Sequence, residues 1–236
     1  CLDTPVNEKP RAYAVFAHCF TCTKNLRTIS HVSRALAKQA IAVLRFDFTG
    51  LGGSEGDFSA TNFSSNVADI IAASQFLEKE YQPPTILIGH SFGGAAVLEA
   101  AGIIDSCKAV VTINAPSDPA NVLSHFKNIN ENIKEYGEAE ITIADQRFTI
   151  KKQFLEDVEN THLIESVKNL NRALLILHAP LDQTVSIEHA ARIYAAAQHP
   201  KSFVSLDGAD HLLSKDEDIH YVADIISAWS TKYISG

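Results

Sequence analysis

An α/β fold with a doubly wound, mostly parallel sheet of about six to eight strands is predicted by three features of the chain. Short apolar segments rich in β-branched residues recur along it, and helix-period segments alternate with them. The apolar segments are also nearly continuous, as in strands covered on both faces, so helices should lie on each side of the sheet.

The first strand is expected at Ala12–Ala17, in AYAVFA, and a helix over 26–39 should carry the chain back to a second strand at 41–48. A glycine-rich loop follows, then a helix over 66–81, where Val67, Ile70, Ile71, Ser74, Leu77 and Tyr81 trace one face at helical spacing. Strand 85–89 leads directly into a small-residue helix at 92–101, and strand Ala109–Ile113 comes next. Strand Ala173–His178, helix 187–198, strand 202–206 and helix 218–233 complete the alternation, the last with Ile219, Val222, Ile226, Trp229 and Tyr233 on one face. One interval breaks the rhythm: 118–171 is several times longer than an ordinary connection and mixes Phe126, Tyr136, Phe148 and Phe154 with many acidic residues. Short amphipathic helices over the mouth of a site are expected there, so residues 1–236 should form one domain with a lid insertion at 118–171.

The chain has 236 residues, 46% hydrophobic and 20% charged, the balance of a globular protein with one large core. Its formal net charge of −8, without any basic tract, argues against nucleic acid as a partner. No apolar run approaches the roughly 20 residues of a membrane-spanning helix, and the N-terminal CLDTPVNEKPR lacks a signal-like apolar core. A soluble, cytoplasmic protein is therefore expected. Because the chain starts at Cys1 and contains no methionine, an upstream strand is also expected to precede it.

Chemistry is concentrated at Gly89-His90-Ser91-Phe92-Gly93, a G-x-S-x-G placed where a strand should turn sharply into a helix. Glycines two residues either side of a serine let strand and helix approach closely, and the helix N-terminus favours the negative charge that develops in acyl transfer. A serine hydroxyl is too weak a nucleophile alone, so a histidine must take its proton and a carboxylate must orient that histidine. Asp182 in HAPLDQTV and His211 in DGADHLL each follow a predicted strand, at the edge where open α/β sheets place ligands. Asp207 is the strongest rival acid, with Asp210 behind it, while His18, His90 and His178 fit packing or supporting positions better than that of the base.

These motifs resemble the α/β-hydrolase family over nearly the whole chain. GHSFGG looks like its nucleophile elbow, HAPLDQTV like its acid turn, GADHLL like its histidine loop, and FDFTGLGGSEG like its glycine-rich loop after an early strand. The resemblance implies Ser91 as nucleophile, His211 as general acid/base and Asp182 as orienting acid. It also implies an oxyanion hole built from the N–H of Phe92 and a second N–H after the first strand, with Phe20 the candidate and Cys19 the fallback. Where many members carry His-Gly, this chain has His18-Cys19. The implied enzyme is a serine hydrolase, most simply a carboxylesterase for short to medium acyl esters of small molecules, needing neither metal nor organic cofactor. Peptidase, thioesterase and perhydrolase chemistry would use the same three residues, whereas a dehalogenase would need an aspartate at position 91.

Two other classes compete. Gly50-Leu51-Gly52-Gly53-Ser54-Glu55-Gly56 has its glycines misplaced for a dinucleotide fingerprint, and Asp69 falls within a helix rather than at a strand end. Cys19-x-x-Cys22 follows a strand and precedes a helix, the placement of a redox dithiol, although two small residues shaping a turn would look the same. HCFTCTKN with HPKSFVSLDGADHLL further resembles the α/β-hydrolase branch often fused to a C-terminal OsmC-like domain, which is associated with thiol-dependent peroxide reduction. An accessory role beside such a domain in a longer parent chain is the implied alternative.

Overall fold

The computed structural model describes residues 1–126, 129–143 and 145–234. Strands β1 (Leu2–Asp3), β2 (Ala12–Ala17), β3 (Ile41–Arg45), β4 (Ile86–His90), β5 (Ala109–Ile113), β8 (Ala173–His178) and β9 (Lys201–Ser205) form a seven-stranded sheet ordered β1-β3-β2-β4-β5-β8-β9. Every pairing is parallel except that of β1 with β3. Period-two alternation splits the strand residues between two cores. Val15, Leu44, Leu87, Val110 and Leu174 face one side, against α2 (Phe63–Glu80) and α3 (Phe92–Ala100). Phe16, Val43, Ile88, Val111 and Leu175 face the other, against α1 (Arg27–Ala37) and α8 (Asp216–Ile234).

Several boundaries differ from those read in the sequence, each for a local reason. Strand 41–48 ends at Arg45, because Phe48 turns to place its backbone N–H on the His18 ring at 3.2 Å. Helix α2 begins at Phe63 rather than at 66, because Asn62 and Ser65 form a reciprocal capping box. The last strand starts at Lys201 and is only half covered, since it forms the edge of the sheet and pairs with β8 alone. At the opposite edge, β1 is an antiparallel strand that the sequence pattern did not suggest.

The long interval is not purely helical. A 3₁₀ turn at Pro119–His125 and α4 (Ile129–Tyr136) are followed by an antiparallel hairpin of β6 (Glu138–Ile143) and β7 (Gln146–Lys151). Helices α5 (Lys152–Asn160) and α6 (Leu163–Lys168) return the chain to β8, and α7 (Ile187–Ala196) connects β8 to β9. Ile141 and Ile150 turn inward from the hairpin and Phe154, Leu155 and Val158 from α5, so this segment shares the core that faces α2 and α3. No helix among the described residues is long and apolar enough to cross a membrane.

Candidate active site

The C-terminal ends of β4, β5 and β8 lie level with one another, His90 being paired with Ile113 and Ile113 with Leu177. The loops leaving these strands, and the one leaving β9, therefore emerge along one edge of the sheet. Ser91 sits at the first of these exits with φ 55° and ψ −125°, a conformation that L-residues rarely adopt and that costs of order 1–3 kcal/mol. Its N–H donates to the Ile113 carbonyl at 2.8 Å, tying the turn to the neighbouring strand. The flanking glycines are required by space. A Cβ on Gly89 would run into the Gly93 backbone, and one on Gly93 into the Ala17 and His18 carbonyls. Phe92 is the first residue of α3, where a backbone N–H has no intrahelical acceptor.

Ser91 Oγ lies 3.0 Å from His211 Nε2, and His211 Nδ1 lies 2.7 Å from Asp182 Oδ2. The three residues picked out in the sequence thus form one hydrogen-bonded chain. Burial would raise the Asp182 pKa, but the bond from His211 and the N–H groups of Val185 and Thr184 outweigh it and hold the carboxyl below its ordinary value. Those two N–H groups donate to Asp182 Oδ1 at 2.9 and 2.7 Å, leaving Oδ2 for the imidazole. The rival carboxylates are engaged elsewhere: Asp207 with the Ser205 hydroxyl at 2.5 Å, and Asp210 with the Ser214 N–H at 2.9 Å.

Two residues hold the histidine loop in place. The His211 carbonyl accepts from His90 Nε2 at 2.7 Å and from Asn114 Nδ2 at 2.9 Å. Asn114 sits in the left-handed region at φ 49°, and its Oδ1 accepts from the Ala179 N–H at 2.8 Å, joining the exits of β5 and β8. Complete burial, reinforced by the nearby His211, pushes the His90 pKa down to about 3, so the ring is neutral and carries its proton on Nε2. His178 likewise meets the Val185 carbonyl through Nε2 at 2.8 Å, bracing the acid loop. The sequence reading set His18, His90 and His178 aside as strand-end histidines in packing or supporting positions; Asn114 carried no signal.

The turn after β2 is organised by His18. The Phe48 N–H donates to Nε2, so Nδ1 carries the proton and donates to the Cys19 carbonyl at 2.8 Å. The Cys22 N–H reaches the same carbonyl at 3.2 Å. Because a trans peptide points its N–H opposite its C=O, the Phe20 N–H is directed away from His18. Cys19 and Cys22 are joined by a disulfide across this turn, which is the oxidised state of a redox dithiol and replaces the two separate small side chains of a plain turn. The Phe20 ring packs against Phe92 of α3, Phe58 of the 3₁₀ turn after the glycine-rich loop and Phe154 of α5, with centroids 5.4, 5.7 and 5.5 Å away. The glycine-rich loop itself is braced by Asp69, which accepts from the Thr49 N–H and hydroxyl at 2.8 and 2.9 Å, a structural use of the residue that a nucleotide site would need for a ribose.

A model of the alpha/beta hydrolase family matches residues 14–225. Among solved structures, the chain is similar to the esterase domain from a Rhodothermus marinus protein, with 50% identity and a TM-score of 0.79, covering 99% of this chain and 92% of that one. Est1E from Butyrivibrio proteoclasticus with ferulic acid bound has the same fold at 21% identity and a TM-score of 0.82, covering 100% of this chain and 95% of that one. Rat mitochondrial palmitoyl-protein thioesterase ABHD10 is 24% identical over 202 residues, 80% of this chain and 67% of the relative. The matched segment spans every strand from β3 to β9 and all three residues of the hydrogen-bonded chain, and the protein belongs to the alpha/beta hydrolase family.

Proposed function

We propose that this hydrolase is a serine carboxylesterase acting on short to medium acyl esters of small molecules. The observation that carries this is the chain from Ser91 Oγ through His211 to Asp182, at 3.0 and 2.7 Å, with Ser91 held strained at the start of α3. Ser91 attacks the ester carbonyl carbon as its proton passes to His211 Nε2, and the carbonyl oxygen becomes an oxyanion. The Phe92 N–H stabilises that charge, joined by the Phe20 N–H, whose direction follows from the His18 and Cys22 bonds to the Cys19 carbonyl. The bond to the leaving alkoxide then breaks, and the alkoxide takes its proton from His211. Water, deprotonated by the same imidazole, attacks the acyl-enzyme and releases the acid and free Ser91. Asp182 holds the imidazole in the required tautomer throughout.

In this proposal the 118–171 segment acts as the lid, which is supported by Phe154 packing on Phe20 and Phe148 on Phe58, the latter with centroids 5.1 Å apart. A thioesterase is the second reading, favoured by the 24% identity to a palmitoyl-protein thioesterase; the same residues would cleave an acyl–sulfur bond. Labelling with a fluorophosphonate, followed by peptide mapping, should place the adduct on Ser91. Ser91→Ala should lower p-nitrophenyl butyrate turnover by at least about a thousandfold while leaving the far-UV circular dichroism unchanged. Retained turnover, or an adduct on another residue, rules out the mechanism.

A further inference from the structure

The two loops that carry Asp182 and His211 each place a leucine in solvent beside the acidic or basic residue. Leu181 immediately precedes Asp182 and is 74% exposed, and Leu212 immediately follows His211 and is 42% exposed. Between them lies a groove of about 380 Å³ lined by Leu181, Gln183, Thr184, Asp210, His211 and Leu212. Much of its polar lining is engaged within the loops themselves. The Gln183 amide donates to the Leu181 carbonyl at 3.0 Å, the Thr184 N–H to Asp182 at 2.7 Å, and Asp210 is capped by the Ser214 N–H at 2.9 Å. What the groove offers a ligand is therefore chiefly apolar surface, with His211 in its wall.

Position relative to the reacting carbon decides which part of a substrate can occupy it. An ester bound to Ser91 has its carbonyl oxygen drawn towards the start of α3. Its leaving oxygen or sulfur must come within hydrogen-bond reach of His211 Nε2 to be protonated. The acyl chain takes the remaining direction. The groove that shares His211 thus continues from the leaving atom.

We propose that this groove is the leaving-group subsite, and that Leu181 and Leu212 make the enzyme select substrates whose alcohol or thiol portion is apolar. The inference rests on the esterase reading above and deepens it. Contact with both leucines should give roughly a two- to fourfold gain in kcat/KM for each methylene added to the leaving group, the range spanned by partial and full burial of a CH₂.

The test is a series of acetate esters from methanol to 1-hexanol, whose alcohols have nearly equal basicity, read alongside methyl esters of increasing acyl length and S-hexyl thioacetate. Each ester is assayed both below and above its solubility limit. In the native protein kcat/KM should climb along the alcohol series, and 1-hexanol should inhibit methyl-ester hydrolysis competitively. Leu181→Ser with Leu212→Ser should flatten that climb and weaken the inhibition; both positions are exposed, so the fold should tolerate the change. The S-hexyl ester shows whether sulfur-linked chains use the same subsite: a rate gain lost in the double variant extends the proposal to thiols, and one unaffected by it overturns that extension. A flat alcohol series, or a climb that the double variant keeps, overturns the inference while leaving the esterase reading intact. A gain seen only above the ester's solubility limit assigns the leucines to a lipid–water interface and likewise overturns it. No hydrolysis of any ester, together with no fluorophosphonate label, removes the esterase reading and this inference with it.

Discussion

His90 links the site to the stability of the whole protein. Its ring is fully buried and donates to the His211 carbonyl, and burial pushes its pKa down to about 3. An unfolded histidine titrates near 6.5, so the unfolded chain gains a proton first as pH falls. The stability contributed by neutral His90 is therefore complete above about pH 6.5 and is progressively lost between there and about pH 3. Between pH 7 and pH 5 this one residue should remove about 2 kcal/mol of unfolding free energy. Urea denaturation at the two pH values checks it: His90→Gln, which keeps a side-chain donor but cannot titrate, should show a correspondingly smaller loss. Ser91, Asp182 and His211 were legible because each combines a reactive side chain with a strand end, and Ser91 also with glycines. Asn114 was not, since its role depends on a carbonyl 97 residues away and on a left-handed backbone that the sequence does not announce.

At the scale of elements, the turn between β2 and α1 is where residue pattern and structure diverge most. The spacing Cys19-x-x-Cys22 is equally compatible with two thiols or one disulfide, because the choice depends on how the chain folds back. The bond closes a very short loop, worth about 2 kcal/mol in a chain-entropy estimate, and it borders the peptide that orients the Phe20 N–H. Cys19→Ser with Cys22→Ser should lower Tm by roughly 4–8 °C and reduce kcat severalfold, because His18 still holds the Cys19 carbonyl. Unchanged Tm and kcat, measured by calorimetry and ester turnover, exclude a structural contribution from the bond. A peroxide-reducing activity lost in the same variant favours the thiol-redox alternative. The hairpin of β6 and β7 was missed for a different reason. Only one of its faces is covered, and its inward residues are too few for period-two alternation to outweigh the acidic and aromatic composition around them.

Across the molecule, the parallel sheet was readable because burial on both faces forces long apolar runs, and those runs are insensitive to errors in their ends. The edge strands were less so: β1 is two residues long and β9 is half exposed, so neither carries a full hydrophobic signature. The site is also strongly non-local. Ser91 meets His211 across 120 residues of chain, Asn114 reaches it across 97, and the β4, β5 and β8 exits are aligned only once the parallel sheet has closed. Contacts at such separations form late, because loop closure must be completed before the contacts can compensate it. Under the proposed function, ester hydrolysis is consequently a clock for the end of folding. After dilution from urea, far-UV circular dichroism should recover first and turnover should follow with a lag; simultaneous recovery would mean that the strand exits align as early as the helices form.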